Sequence, residues 1–319
     1  MDSIKKILIT GGAGFIGSSL ADKLVRNKRY HVVIVDNMLT GNIDNLPSKE
    51  YTNWKYIHCD VNRYSEIAPI MQTNTFDYVF HYAAVVGVQR TLKNPVLVLE
   101  DITGIKNILD LARYTGVKRV YYASSSEVYG ESIEYPQHEH TTPLNSRLPY
   151  AVVKNVGESY LRSYKKEFDL DFTIFRFFNT YGPKQSRDFV ITRFVKAALK
   201  GEPLTIYGDG LQTRTFCYID DNIDASVRAM EENLYVNDVI NIGSEIEYTI
   251  LSVAEDVIAL TNSSSSIQFL EALEEGDMKR RQPDIHKMAQ LLNRDMTPFT
   301  QGLARIISVL AKKYTASVI

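Results

Sequence analysis

The chain has 319 residues, 45% apolar and 23% charged, which is ordinary for a globular protein of one large domain or two intimate ones. A formal net charge of −2 without any Lys/Arg block gives no support to nucleic-acid or anionic-membrane binding. Two cysteines, Cys59 and Cys217, exclude a disulfide framework and read as buried thiols, no apolar run reaches the about 18 residues of a membrane span, and a strand begins by about Lys6, so a cytoplasmic protein without a signal peptide is expected.

From the N-terminus, apolar runs at Ile7–Thr10, Val32–Val35, Tyr56–His58, Tyr78–Phe80, Val120–Ala123 and Phe172–Phe175 predict buried strands. Helical patterns near 15–27, 64–72, 97–115 and 149–168 separate them. Strands apolar throughout and alternating with helices predict a parallel sheet covered on both faces, a doubly wound α/β (Rossmann) architecture. After Asn179 the order becomes a helix near 188–200, a strand Leu204–Tyr207, a turn at Gly208–Gly210, a strand Thr215–Ile219, a helix near 221–232 and a strand Val239–Ile242. Helices near 252–262, 284–293 and 300–315 complete the chain, and Ser263–Ser266 is a short polar loop. Residues 1–175 are expected to form the dinucleotide-binding domain, with part of 214–243 returning to it. Residues 176–319 are expected to form mainly a smaller, discontinuous substrate domain, the substrate lying in the cleft between them.

The loop Thr10-Gly-Gly-Ala-Gly-Phe-Ile-Gly17 leaves the first strand and opens the first helix, supplying Gly11, Gly14 and Gly17 in G-x-x-G-x-x-G, with Phe15 and Ile16 in the first turn. Such glycines let a pyrophosphate approach the free N–H groups and positive dipole end of the helix. Asp36 closes the second strand, followed by Asn37. A carboxylate there accepts both adenosine ribose hydroxyls and repels a 2′-phosphate, so the expected cofactor is NAD rather than NADP. Asp60-Val61, after the third strand, is placed to meet the adenine ring, and Ala83-Ala84 follows the fourth.

Further on stand Ser124-Ser-Ser-Glu-Val-Tyr-Gly130 and Pro149-Tyr-Ala-Val-Val-Lys154. Tyr150 and Lys154 are one helical turn apart. A cation nearby favours phenolate and brings a phenol of ordinary pKa about 10 toward neutral pH, which suits proton exchange with a hydroxyl. Alone the spacing is a weak signal, because the chain has 20 Tyr. Read singly, Glu127 is a strand exit, Asp60 a cap, Tyr207 a core aromatic and Arg214 a sheet-edge charge.

Together, the glycine loop, Ala83-Ala84, Ser124–Gly130 and Tyr150/Lys154 resemble the extended short-chain dehydrogenase/reductases, and more narrowly their nucleotide-sugar epimerase/dehydratase/decarboxylase branch. The likeness continues through Arg176-Phe-Phe-Asn-Thr-Tyr-Gly-Pro183, Tyr207-Gly-Asp-Gly-Leu-Gln-Thr-Arg214 and Arg281-Gln-Pro-Asp-Ile285. The resemblance implies bound NAD taking a hydride from sugar C4, Tyr150 as the base at O4, Lys154 on the nicotinamide ribose and Ser125 sharing the hydroxyl. It implies that Asn179, Tyr207, Arg214 and Arg281 contact the nucleotide sugar, with UDP as the expected carrier. It also implies a homodimer built on the helices near 97–115 and 149–168. No metal site is expected, since the six His show no ligand spacing.

The same resemblance separates the outcomes after C4 oxidation. UDP-glucuronate decarboxylases carry Ser-Glu and an R-x-P-x-I segment, matched here by Ser126, Glu127 and Arg281–Ile285. Thymidine-linked glucose 4,6-dehydratases carry Asp-Glu instead of Ser126-Glu127, and 4-epimerases a small or neutral residue at the Glu127 position. Three departures keep epimerisation and dehydration open: Val85–Thr91 and the Pro149–Lys154 segment are epimerase-like, and Asp101 stands where the family usually has Asn. UDP-glucuronate decarboxylation is the leading expectation, and an idle NAD-binding regulator is the alternative of another class.

Overall fold

The computed structural model describes residues 4–272 and 280–316. Its first elements are β1 (Lys5–Thr10), α1 (Phe15–Leu24), β2 (Tyr30–Asp36), β3 (Trp54–His58), α2 (Tyr64–Thr73), β4 (Tyr78–His81), α3 (Val88–Lys93), α4 (Pro95–Leu99), α5 (Asp101–Thr115), β5 (Arg119–Ser125), α6 (Pro149–Phe168) and β6 (Asp171–Phe177). There follow β7 (Thr180–Tyr181), α7 (Val190–Lys200), β8 (Leu204–Tyr207), β9 (Thr213–Thr215), β10 (Cys217–Tyr218), α8 (Ile219–Glu231), β11 (Asp238–Ile242), β12 (Glu247–Thr249), α9 (Ile250–Thr261), β13 (Ile267–Leu270), α10 (His286–Leu292) and α11 (Phe299–Ala316).

Seven parallel strands form one sheet in the order β11-β6-β5-β4-β1-β2-β3. Successive side chains of each strand enter opposite cores. Ile7, Ile9, Val32, Ile34, Phe80 and Phe175 join the core under α1 and α8, whereas Leu8, Val33, Val79, Val120 and Phe172 join that under α2, α5 and α6. This two-sided burial explains why the strands read as continuous apolar runs. Cys59 and Cys217 are free and buried within these layers.

The strand order reverses between β1 and β4, which leaves a crevice at their carboxyl ends. After β6 the chain leaves the sheet, then returns to it as α8, packed on α1, and β11, paired with β6. Beyond the sheet, β8 pairs with β13, β9 with β12 and β7 with β10.

Several elements differ from the expected ones. The helix expected near 97–115 begins at Pro95 and is interrupted at Glu100, Pro95 taking a first-turn position where its missing N–H costs nothing. The strand expected at Thr215–Ile219 is two short pieces, because the chain changes partner at Phe216, from β12 to β7, and Ile219 already opens α8. Strand β13 escapes sequence periodicity because Gln268 and Phe269, neighbours on opposite faces, are both exposed. Among the described residues no helix is long and apolar enough to cross a membrane.

Candidate active site

A cleft of about 340 Å³ opens at the carboxyl ends of β1, β4 and β5. Thr10 ties its floor together, its hydroxyl accepting the N–H groups of Tyr82 and Ala83, both at 3.1 Å. Gly11 has φ +67°, and a Cβ there would lie 2.6 Å from Ala83 N. A Cβ on Gly17 would lie 2.4 Å from the Gly11 carbonyl oxygen. Helix α1 starts from Gly14 without a side-chain cap, so its first-turn N–H groups are available to an anion. Phe15 and Ile16 of that turn line the cleft.

Asp36 is buried at the end of β2, where its carboxylate accepts the N–H groups of Ala13 at 3.0 Å and Met38 at 2.8 Å. An ionised carboxylate offers about four lone-pair sites, so capacity remains for two hydroxyl donors. Asn37, Asp60, Val61 and Ala84 complete this half of the cleft with Ala83. A bare glycine turn for a pyrophosphate, an acid for a ribose and an apolar far wall fit NAD. Gly17→Ala should lower unfolding stability by about 1–3 kcal/mol through overpacking and abolish the rise in Tm on adding NAD, as thermal unfolding with and without the dinucleotide will read.

The other half is carried by α6 and the exit of β5. Pro149 opens α6, and Tyr150 and Lys154 both face the cleft. Lys154 is buried, donates from Nζ to the Ala123 carbonyl at 2.7 Å, and stands 5.7 Å from the Tyr150 ring centroid. Burial pulls its ammonium down to about 8, with the Asp101 carboxylate opposing. The Tyr150 phenol is pushed up, first by burial and then by Glu127, while a hydrogen bond with Ser125 and the charge of Arg281 act the other way. The lowering of Tyr150 by Lys154 expected from the sequence is therefore corrected for the protein alone: burial and then Glu127 raise the phenol, and the ammonium is engaged by a backbone carbonyl.

Asp101, in the first turn of α5, accepts the Val85 N–H at 2.8 Å and lines the same cleft. Burial raises its carboxyl, with Val85 and Lys154 opposing. The cationic form of Lys154 is complete well below its pKa and is lost as pH rises through about 8. Activity should fall over that window, and Asp101→Asn should move the fall to lower pH by removing the charge that supports the ammonium. A pH–kcat profile of both proteins checks this.

Ser125 ends β5, and its Oγ accepts the Glu127 N–H at 3.2 Å, capping the tight 3₁₀ turn Ser126–Tyr129. Both Ser126 and Glu127 line the cleft as a result. Arg281 arrives from far along the chain, buried, its Nη1 donating to Ser126 Oγ at 3.3 Å and standing 3.6 Å from Glu127 Oε1. The three residues singled out from the sequence thus meet beside Ser125 and Tyr150.

Asn179, with φ +34°, lines the cleft and donates from Nδ2 to the Thr215 carbonyl at 3.0 Å. Tyr207 and Arg214 stand away from the cleft wall: Tyr207 lies under the Arg193 guanidinium at 5.5 Å, and Arg214 is buried and donates to the Thr213 carbonyl at 2.7 Å. Sequence reasoning did not single out Tyr82, Asp101 or Gln185 as site residues, though all three line the cleft. Of these only Asp101 left a signal, as an acid where the family usually has Asn.

The sequence profile of the NAD dependent epimerase/dehydratase family matches residues 7–243. UDP-glucuronic acid decarboxylase 3 of Arabidopsis thaliana is 36% identical over 294 residues, covering 90% of this chain and 83% of that protein. UDP-N-acetyl-alpha-D-glucosaminuronate decarboxylase of Bacillus cytotoxicus is 39% identical over 312 residues, covering 90% and 91%. A UDP-glucuronic acid 4-epimerase from Bacillus cereus, solved with UDP-4-deoxy-4-fluoro-glucuronic acid and NAD, superposes with a TM-score of 0.88 at 31% identity, covering 97% and 99%. The chain belongs to the NAD dependent epimerase/dehydratase family, within the extended short-chain dehydrogenase/reductases, and is an NAD-dependent enzyme of nucleotide-sugar chemistry.

Proposed function

We propose that this enzyme decarboxylates a UDP-hexuronate, with UDP-glucuronate as first choice. The observation that carries the reading is the buried Arg281 beside Ser126 and Glu127, in the same cleft as Ser125, Tyr150 and Lys154. When bound, oxidised NAD supplies a hydride acceptor and donor for sugar C4, together with a positive charge at its nicotinamide ring. Tyr150 takes the O4 proton while Ser125 Oγ holds the same hydroxyl, and Lys154 binds the nicotinamide ribose. Because burial holds Tyr150 in its neutral form in the protein alone, ionisation depends on the cations assembled in the loaded cleft.

Arg281 holds the C6 carboxylate, its fork suited to two oxygens. Once C4 is a ketone, the C5–C6 bond breaks, its electron pair passes to the C4–C5 enolate, and carbon dioxide leaves. Glu127 delivers a solvent-derived proton to C5. In this reading residues 1–175, with part of 214–243, hold the cofactor. Residues 176–319 mainly hold the nucleotide sugar, Asn179 from the cleft wall, with the nucleotide running beyond that wall to bring its diphosphate toward Arg214 and its base toward Tyr207. A homodimer paired through α5 and α6 completes the proposal, and sedimentation equilibrium tests it.

The relatives named as decarboxylases of UDP-glucuronate and of its N-acetylated counterpart support this reading. Epimerisation at C4 is the second reading, supported by the likeness to the UDP-glucuronic acid 4-epimerase. The test is incubation with UDP-glucuronate, UDP-N-acetylglucosaminuronate, UDP-glucose and UDP-N-acetylglucosamine, with products weighed by mass spectrometry. A uronate that loses the mass of carbon dioxide is the expected result. An unchanged mass with a new sugar would sink decarboxylation in favour of epimerisation, and loss of water would mean dehydration.

A further inference from the structure

Arg281 does not hold its place in the cleft alone. Behind it runs a chain of buried polar groups that the reaction does not consume. Arg176 on β6 and Glu158 on α6 are both 1% exposed and pair in two parallel hydrogen bonds, Nε to Oε1 at 2.8 Å and Nη2 to Oε2 at 2.7 Å. Ser124, next to the proposed O4 partner Ser125, donates to Glu158 Oε1 at 2.7 Å. Arg176 Nη1 donates to the Tyr129 hydroxyl at 2.8 Å, and that hydroxyl donates onward to Asn241 Oδ1 at 2.7 Å.

Asn241, 0% exposed, then donates from Nδ2 to the carbonyls of Gln137 at 2.8 Å and Asp284 at 3.3 Å. Gln137 and the segment bearing Arg281 are themselves zipped together. The Gln137 N–H donates to the Gln282 carbonyl at 2.7 Å, and the Asp284 N–H donates to the Gln137 carbonyl at 2.8 Å. The path therefore leaves the end of β5 at Ser124 and returns to the turn that follows it through Arg281, whose Nη1 meets Ser126. It closes a ring of hydrogen bonds through α6, β6, the turn after β5, β11 and the 280s segment.

Stability is a poor explanation for such a ring. A buried ion pair is often no more stabilising than well-packed apolar residues of the same volume, whereas a buried hydrogen-bonded network specifies one arrangement. The arrangement specified here is the register between two segments, residues 124–127 and 280–285, that each supply part of one cluster. Residues 124 and 125 end β5 and 126 and 127 open the turn after it, whereas the 280s segment lies outside every named strand, so there the ring substitutes for regular structure.

We propose that Tyr129 and Asn241 are positioning residues that set Arg281 against Ser126-Glu127 and so determine how the enzyme selects a sugar carboxylate. The proposal rests on the reading of Arg281 as the carboxylate partner. A shift of about 1 Å in such a group can cost on the order of 10²-fold in rate, so a ring that fixes it has a measurable consequence.

The test uses proteins carrying Tyr150→Phe, which hold substrate without turnover, with NAD bound, and titrates them with UDP, UDP-glucose and UDP-glucuronate by calorimetry. The parent should bind UDP-glucuronate more tightly than UDP-glucose. Adding Tyr129→Phe, which removes one oxygen and keeps the ring beside Phe178, should shrink that preference about 10-fold while UDP affinity stays the same. Asn241→Ser provides a second break in the ring, should Tyr129→Phe prove unstable. In the otherwise native enzyme Tyr129→Phe should lower kcat for carbon dioxide release more than it raises KM. A parent that shows no preference for the uronate defeats the reading of Arg281. A parent preference that survives both substitutions intact, in folded protein, defeats the positioning role alone.

Discussion

Tyr150→Phe should lower kcat for every product by about 10²–10⁴-fold, the usual worth of a positioned acid–base group, whichever nucleotide sugar is offered. The substitution removes only the phenol oxygen. The ring, the Pro149 start of α6 and the Lys154–Ala123 hydrogen bond remain, so NAD-dependent thermal stabilisation should persist. Rapid-scan absorbance should then show no reduced nicotinamide after mixing with substrate, because the O4 proton has no acceptor. Turnover at the native rate would mean that O4 is deprotonated elsewhere, and the shared role of Ser125, Tyr150 and Lys154 would have to be abandoned.

Arg281→Met is expected to act one step later. It should cut carbon dioxide release by about 10²–10³-fold, the typical cost of losing one donor aimed at developing charge, while C4 oxidation continues and reduced nicotinamide accumulates. Met approximates the length of the stem but leaves Glu127 without the cation standing 3.6 Å away. Glu127→Gln gives the complementary measurement: reduced nicotinamide should again form, with delayed product. If Arg281→Met released carbon dioxide at the native rate, the carboxylate is not held there and the role assigned to Arg281 falls. The pair of experiments separates oxidation from bond cleavage, because Tyr150 and Arg281 enter the cleft on different segments and, in the proposed reading, act on different sugar carbons.

Much of the first half of the protein is legible in its amino-acid sequence. Parallel strands buried on both faces leave continuous apolar runs, and the turn at Gly11–Gly17 leaves glycines where backbone approaches backbone. The C-terminal region is less legible for a physical reason. Its short strands β7, β9, β10 and β12 have only two or three residues, and pairing changes partner at a single residue, Phe216, so no period has room to develop. Local charge arguments also have limited reach. The proximity of Tyr150 and Lys154 is readable from their spacing, but the net effect on the phenol depends on burial and on Glu127, neither of which the spacing contains.

Periodicity and short-range spacing suffice for the doubly wound fold, for the glycine turn and acid that fit NAD, and for the Tyr150/Lys154 pair. These are local properties, written within single strand–turn–helix units. Packing between distant segments is what sets Arg281 against Ser126 and Glu127, 155 residues away from Ser126, and brings Asp101 into their cleft. The same packing leaves Tyr207 and Arg214 off the cleft wall. Contacts of that kind arise from how β5, β6 and β11 stack and from the buried ring that joins their loops, and no local pattern encodes them.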